Sequence, residues 1–274
     1  MAEKTIGLIA GTSQFPLLFA RSARAKGFRV VAVAIEGETF PQLSAEVDEI
    51  VWVKLGKLGK LLKAFHKAGV TTAVMAGGVK KTRMFKDVKP DLKALSLISR
   101  MKHLADDGLL RTFAKLLADE GIEIVASHDL VPELLASEGV YTKRGPSQDE
   151  QDDIDLGWQV GGDLGRLDIG QCLVLKGKVV IAVEAVEGTD ACISRGGELA
   201  GPGAVVVKRC KPIQDMRFDL PSVGADTVAA MERAGATCLC IEADRTLVFD
   251  REAMVSAADK AGICIVARKG EARS

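Results

Sequence analysis

The stretch Thr5-Ile6-Gly7-Leu8-Ile9-Ala10-Gly11 decides the fold class of the first half of the chain. It is a short apolar run that ends at a glycine, and it precedes a helical pattern over residues 16–26 and a second apolar run over residues 29–35. A strand, a helix and a strand within about thirty residues form a βαβ unit with a right-handed crossover. The alternation continues through residues 49–55, 57–68, 71–76, a helix-rich stretch at 91–120, and 122–126. The sequence therefore predicts a Rossmann-like α/β domain, in which an open and mostly parallel sheet carries helices on its faces.

The alternation stops between Gly139 and Gln151, where Gly145-Pro146 cannot continue a helix. We predict a two-domain protein: an N-terminal domain over residues 1–140, a linker over 141–148 and a C-terminal mixed α/β domain over 149–274. In the second domain, apolar runs at 172–175 and 179–185 flank Lys176-Gly177-Lys178, a spacing typical of a hairpin. The other expected elements are helices at 149–164, 227–234 and 251–261 and strands at 204–208, 237–241, 247–249 and 263–267.

The charge balance excludes some classes of partner. The chain has 37 basic and 37 acidic residues, and only 9 Phe, 2 Trp and 1 Tyr, so neither a basic field nor stacking rings indicate nucleic-acid binding. The part before residue 145 carries a net charge of +6 and the part after it −6. This asymmetry has two explanations. Either it arises by chance together with a complementary domain interface, or it marks a ligand cleft between the domains in which one wall binds an anion and the other a divalent metal.

Cysteine usage and hydropathy bear on the compartment. All six cysteines lie in the second half without a C-x-x-C pair, which predicts reduced, mostly buried thiols in a cytoplasmic protein. The first uncharged run, residues 5–20, is interrupted at Gly11 to Gln14 and at Pro16, so it is too short for an export signal or for the ~20 apolar residues of a membrane helix. We expect membrane contact to be peripheral at most.

Two loops of the first domain follow predicted strands, where ligands bind in this architecture. At the first, Gly11 is expected to present free N–H groups to a phosphate, with Thr12 and Ser13 adding donors, although the G-x-G-x-x-G fingerprint is absent. At the second, Gly77-Gly78 adjoins Lys80 and Arg83, a pattern that fits phosphate contact, anionic lipid head groups or a solvated face.

Glu36, just after the second strand, is either a ribose-binding acid or an ordinary loop residue. The three histidines form no catalytic arrangement with serine or cysteine that spacing supports.

The densest group of polar residues lies between Asp168 and Asp219. Acidic residues beside glycines and cations occur at residues 166–171, 183–190 and 211–221, all next to predicted strands. Carboxylates at strand ends suit a hard cation such as Mg²⁺ better than zinc. For any single carboxylate, a turn cap or a surface salt bridge explains it equally well, whereas the cluster as a whole favours function.

These motifs together resemble the LpxI family, and the resemblance covers nearly the whole chain in the same order. The residues that carry it are Gly7-Leu8-Ile9-Ala10-Gly11 with Pro16, Asp106-Asp107 with Leu109-Leu110, Leu167 to Gln171, Ala182 to Ala185, Glu187 to Asp190, Lys211-Pro212 and Asp219-Leu220-Pro221. Ser13 departs from the pattern, because the family often has a second glycine there.

The resemblance implies a Mg²⁺-dependent hydrolase of lipid A biosynthesis that splits UDP-2,3-diacylglucosamine into UMP and 2,3-diacylglucosamine 1-phosphate (lipid X). It also implies two domains with the lipid product between them. The family's essential aspartate lies in an Arg-x-Asp-Leu-Pro motif, which matches Asp219.

We hypothesise a division of roles that suits phosphoanhydride hydrolysis. Asp219 and Asp190 hold Mg²⁺, Glu184 or Glu187 completes the metal site or orients the water, and the catalytic set is Asp219, Glu187 and Asp190. The expected substrate contacts are Gly11, Thr12, Ser13, Lys80, Arg83, Asp168, Gln171, Gly188, Thr189, Lys211, Gln214 and Arg217.

Two other functions fit parts of the sequence: a nucleotide-cofactor enzyme that uses the first domain alone, and a non-catalytic carrier of a nucleotide-linked lipid. The expected partners are the glycolipid nucleotide and, peripherally, the inner membrane surface; the choice between monomer and homodimer stays open.

Overall fold

Among the described residues, the order of strands in the two larger of three sheets defines the architecture. The computed structural model describes residues 4–79, 90–91, 93–95, 106–212, 214–218 and 220–270, and for residues 106–109 it describes the backbone alone. The chain divides into a first unit, residues 4–132 together with 215–218, and a second unit, residues 133–214 and 220–270. The chain thus passes from the second unit back to the first for a few residues and then returns.

The first unit contains a fully parallel sheet with the strand order β3-β2-β1-β4-β5. Because β2 and β4 lie on opposite sides of β1, the strand order reverses between β1 and β4, which makes this the topological switch point of the sheet. The predicted parallel sheet is confirmed. Its elements are β1 (Lys4–Ala10), α1 (Phe15–Ala25), β2 (Phe28–Ile35), a 3₁₀ turn (Pro41–Ala45), β3 (Glu49–Val53), α2 (Leu58–Lys67), β4 (Thr72–Ala76), α3 (Asp106–Asp119), β5 (Glu123–Ile124) and α4 (Ser127–Leu130).

Apolar periodicity explains why these elements pack. Helix α1 starts with a proline in its first turn, where the fixed φ favours helix, and it buries Phe15, Phe19 and Ala23 at four-residue spacing. On the strands, Leu8 and Val31 are almost completely buried, as expected for parallel strands that are covered on both faces. The core of this unit includes Phe65 of α2.

The second unit contains a mixed six-stranded sheet with the order β6-β13-β11-β9-β7-β8, and the predicted hairpin of β7 and β8 is confirmed. Strands β9, β11 and β13 are parallel to one another, and β7 is antiparallel to its two neighbours. The elements are a 3₁₀ turn (Pro132–Leu134), β6 (Gly139–Val140), α5 (Gln148–Arg166), β7 (Cys172–Lys176), β8 (Val179–Val183), α6 (Thr189–Ala200), β9 (Ala204–Lys208), β10 (Ser222–Val223), α7 (Ala225–Ala234), β11 (Ala236–Glu242), β12 (Leu247–Val248), α8 (Arg251–Ala261) and β13 (Cys264–Arg268).

Two apolar cores lie on the two faces of this sheet. One includes Val174 and Val206 together with residues of α6, α7 and α8, and the other includes Leu173 and Val207 together with Trp158 of α5. All six cysteines are free and buried, as the sequence predicts. No helix among the described residues is long and apolar enough to cross a membrane.

The structure corrects two details of the sequence analysis. The division between the units falls between Pro132 and Glu133, and β6 at residues 139–140 pairs with β13 of the second unit, so the boundary drawn at residue 140 lies too late. The sequence analysis also missed helix α6, because the pair Gly196-Gly197 disfavours a helix interior. A Cβ on Gly196 would lie 2.6 Å from Val174 Cβ, so close packing against the sheet requires glycine there.

Candidate functional site

The loops after β1 and β4 meet at the switch point of the first unit. The backbone N–H of Gly11 donates to the Ala76 carbonyl at 2.9 Å, and that of Thr12 donates to the Gly78 carbonyl at 2.7 Å. The contact is close, because a Cβ on Gly11 would lie 2.2 Å from the Gly78 oxygen and a Cβ on Gly77 would lie 2.0 Å from the Thr12 oxygen. The structure therefore brings together two loops that the sequence could only place separately.

This contact corrects the expectation of free N–H groups at the first loop. The N–H groups of Gly11 and Thr12 are used inside the protein, so they are not available to a phosphate in this conformation. Ser13 adopts a positive φ of 84°, and its Oγ accepts the Phe15 N–H at 3.3 Å at the start of α1. Lys80 and Arg83 lie outside the described residues.

The end of β2 is tied to the same edge of the sheet by a residue that sequence analysis did not select. The Thr39 hydroxyl donates to the Ala10 carbonyl at 2.6 Å and accepts the Ile35 N–H at 3.0 Å. Glu36 is exposed, whereas Glu38 is buried. An apolar strand followed by Glu-x-Glu-Thr is the signal that would have drawn attention to Glu38 and Thr39.

Arg217 lies in the segment that returns to the first unit, and Asp215 holds its side chain. The Nε and Nη2 atoms of Arg217 donate to the two carboxylate oxygens of Asp215 at 3.0 and 2.8 Å, and its guanidinium stacks on Phe218 at 4.8 Å. Phe218 packs against the core of the first unit, and Arg111 approaches Asp215 at 3.8 Å. The hydrogen bond from Arg217 lowers the pKa of Asp215, so the carboxylate is ionised and orients the arginine. Sequence analysis missed Asp215.

A second group of site residues lies where β8 ends and α6 begins. Glu184 is only 7% exposed; its Oε1 accepts the Thr189 hydroxyl at 3.1 Å, and its Oε2 is buried without a hydrogen-bond partner. Gly188 precedes α6 with a φ of 89°, which glycine adopts without strain. Of the predicted residues, Glu184, Gly188 and Thr189 therefore lie together.

The other two acidic residues of this region have different surroundings. Glu187 forms an ion pair with Arg195 at 2.6 Å and accepts the Ala185 N–H at 3.0 Å; its own backbone N–H and Arg195 lower its pKa. Asp190 lines a cavity of about 290 Å³ together with Ser194 and Arg233. In the part of the chain that the structure describes, no three His, Cys, Asp or Glu side chains converge on one point. Asp219, the expected essential residue, lies outside that part.

The turn after β9 brings a third set of predicted residues together. Lys211 Nζ pairs with Asp168 at 2.7 Å, and the Lys211 N–H donates to Gln214 Oε1 at 3.2 Å. Asp168 has a positive φ of 58°. The Gln171 carbonyl accepts the Arg209 N–H at 2.8 Å, while Gln171 Oε1 is buried without a hydrogen-bond partner.

Two protein-family models match this chain, one over each half. The model of the LpxI N-terminal domain matches residues 5–134, and the model of the LpxI C-terminal domain matches residues 137–266. The chain belongs to the LpxI family. The gap between the two LpxI matches lies close to the division between the units, at residues 132 and 133.

A curated LpxI relative spans the same length. The protein from Caulobacter vibrioides named UDP-2,3-diacylglucosamine pyrophosphatase LpxI is 34% identical over 276 residues, which cover 96% of this chain and 97% of that protein. Among solved structures, a biotin carboxylase domain of a single-chain bacterial carboxylase has a TM-score of 0.27 and 15% identity over 73% of this chain. This chain spans 35% of that structure's chain.

Proposed function

We propose that this LpxI-family protein hydrolyses the diphosphate bond of UDP-2,3-diacylglucosamine and releases UMP and 2,3-diacylglucosamine 1-phosphate, a step of lipid A biosynthesis. The observation that carries the proposal is the 34% identity, over 96% of the chain, to a relative whose name states that it is a UDP-2,3-diacylglucosamine pyrophosphatase.

The described residues supply groups that this reaction needs. A phosphoanhydride carries several negative charges, and hydrolysis requires cations that neutralise them together with a positioned water. Asp215 holds Arg217 in one orientation and Asp168 holds Lys211, so two cations are oriented before a substrate binds. Orientation before binding reduces the entropic cost of ordering these side chains.

Mg²⁺ remains the cation that we propose, with Glu184, Asp190 and Asp219 as its candidate ligands. The donor chemistry fits at one position, because Glu184 Oε2 is a hard oxygen that is buried without a hydrogen-bond partner. Among the described residues alone, no three potential metal ligands converge on one point. When bound, Mg²⁺ would act as a Lewis acid on the phosphate oxygens.

Release of UMP from UDP-2,3-diacylglucosamine by the purified protein tests the proposal. We expect turnover with Mg²⁺, loss of turnover with a chelator, and loss in Asp219→Ala. Asp119→Ala is the matched control, because Asp119 is exposed at the end of α3. Tight binding of the substrate without UMP release by the folded wild-type protein would refute the hydrolase and favour the carrier.

We also propose a cytoplasmic location with peripheral contact at the inner membrane surface. The two acyl chains make the substrate amphiphilic, and a peripheral enzyme can take such a substrate from the bilayer surface. Co-sedimentation with anionic vesicles that contain the substrate tests this contact. Recovery of all the protein in the supernatant would contradict it.

A further inference from the structure

Lys208 is a buried cation outside the set of predicted site residues. It is the last residue of β9 and is 6% exposed. Its Nζ donates to the Ser222 carbonyl at 2.8 Å, and no described carboxylate lies within ion-pair distance of it. An ammonium group has three donors, so a single carbonyl leaves most of its hydrogen-bonding capacity unused. Ser222 directly follows the Asp219-Leu220-Pro221 motif.

The register of the sheet places Lys208 in a row with Glu184. Lys208 lies opposite Cys172 across β9 and β7, and the Glu184 N–H donates to the Cys172 carbonyl at 2.9 Å. Successive side chains of a strand point to opposite faces, so residues two positions apart share a face. Val206 is two residues from Lys208, Val174 from Cys172 and Ala182 from Glu184, and these three apolar residues belong to one core. Lys208, Cys172 and Glu184 therefore project from the same face, at the edge where β8 and β9 end.

The two buried charges in this row do not neutralise each other directly. Adjacent strands are about 4.8 Å apart, so Lys208 and Glu184 are separated by roughly 10 Å at the backbone, with the Cys172 thiol between them. No ion pair joins them, and Glu184 Oε2 has no hydrogen-bond partner. Burial of an ionised group that is not paired with an opposite charge costs several kcal/mol, so a fold that keeps Lys208 and Glu184 at one sheet edge gains little stability from either.

We infer that the second unit contains a buried anion-binding site at this edge, in which Lys208 Nζ binds a phosphate oxygen of the substrate's diphosphate. A compact ammonium group is well suited to phosphate, and its interaction with an anion is stronger where water is excluded. Two expected substrate contacts belong to the same unit: Thr189 donates to Glu184, and Lys211 lies three residues after Lys208 in the chain. The inference deepens the proposed function and rests on it for the identity of the anion.

Lys208→Gln separates anion binding from a structural role. The amide can still donate to the Ser222 carbonyl, so the unfolding temperature should change little, while the positive charge is lost. We expect the affinity for inorganic pyrophosphate, measured by calorimetric titration, to fall about tenfold or more, and kcat/KM for UMP release to fall about 10²–10³-fold. Lys208→Arg should restore part of both, and Lys260→Gln on the exposed surface of α8 is the matched control.

Two outcomes would overturn the inference. If Lys208→Gln binds pyrophosphate and turns over substrate as the wild type does, Lys208 only holds the Ser222 carbonyl. If a structure of the wild-type protein with pyrophosphate shows the anion away from Lys208 Nζ, the inference fails even where the variants do not fold. A wild-type protein that binds pyrophosphate through Lys208 but releases no UMP would instead refute the proposed hydrolase and leave the anion site standing.

Discussion

Gly77→Ala tests the contact between the two loops at the switch point of the first unit. Gly77 has a φ of +78°, and a Cβ at this position would lie 2.0 Å from the Thr12 carbonyl oxygen. That oxygen belongs to backbone, so the two loops must separate to accept the methyl group. Separation also strains the hydrogen bond from the Thr12 N–H to the Gly78 carbonyl.

Gly69→Ala is the matched control that isolates the cost of this contact. Gly69 has a φ of +69°, and a methyl group on its Cα would have nothing within 4 Å. Alanine at this position therefore lowers the free energy of unfolding only by the strain of a left-handed backbone conformation, about 1–2 kcal/mol. Alanine at Gly77 adds about 1–3 kcal/mol for overpacking and about 1 kcal/mol for the weakened hydrogen bond. We therefore expect Gly77→Ala to lower the free energy of unfolding of the first unit by about 2–4 kcal/mol more than Gly69→Ala does.

Urea unfolding followed by tryptophan fluorescence can measure this difference. The two tryptophans lie in different units, Trp52 in β3 and Trp158 in α5, so a Trp158→Phe background makes the signal report on the first unit alone. The kcat/KM for UMP release should also fall more in Gly77→Ala than in Gly69→Ala. Equal unfolding free energies for the two variants would refute the close loop contact.

Three further predictions concern charges. Asp215→Asn should destabilise the first unit by about 1–3 kcal/mol and raise KM about tenfold, because Arg217 loses its charged partner, as thermal unfolding and steady-state kinetics can show. Glu150→Gln should destabilise the second unit by about 2–3 kcal/mol, because Glu150 pairs with Arg144 at 2.8 Å and caps α5. Burial alone would raise the pKa of Glu150, but hydrogen bonds from Arg144, Ser147 and Thr237 lower it; its stabilisation is therefore present above the ordinary value of 4.5 and lost as the pH falls through the folded value. Removal of divalent cations by a chelator should abolish UMP release, and added Mg²⁺ should restore it.

Each of these predictions has a result that contradicts it. An unchanged KM in Asp215→Asn would show that Arg217 does not contact the substrate through this orientation. If acid unfolding of Glu150→Gln follows the same pH dependence as that of the wild type, Glu150 is not the group that titrates. Full activity after exhaustive chelation would remove Mg²⁺ from the proposed mechanism.

Local patterns sufficed for most of the secondary structure. The apolar runs at β1, β2 and β4 and the glycine between β7 and β8 specify strands and a tight turn through interactions of near neighbours. The same patterns did not predict helix α6, because Gly196 disfavours a helix locally. Close packing against Val174 of β7, a strand that is distant in sequence, requires glycine at this position. Propensity is a weak signal wherever packing demands a small residue.

The sequence likewise indicated some residues of the candidate site and not others. Residue types alone pointed to Glu184, Thr189, Lys211 and Arg217 as polar groups near strand ends. They did not indicate Asp215, whose role follows from its contacts with Arg217. Nor did they show that the N–H groups of Gly11 and Thr12 donate to the end of β4 and to the loop after it, since that depends on which strands become neighbours.

By itself, the sequence determined the α/β class, the two domains and the family, because apolar periodicity and motif order are properties of the chain read in one dimension. Only the tertiary structure decided which charges are buried and which are paired. From the sequence, Lys208 is the polar last residue of an apolar strand. The register of the strands buries it opposite Cys172 and in a row with Glu184. Desolvation and charge pairing depend on neighbours that are far apart in sequence, and folding alone brings those neighbours together.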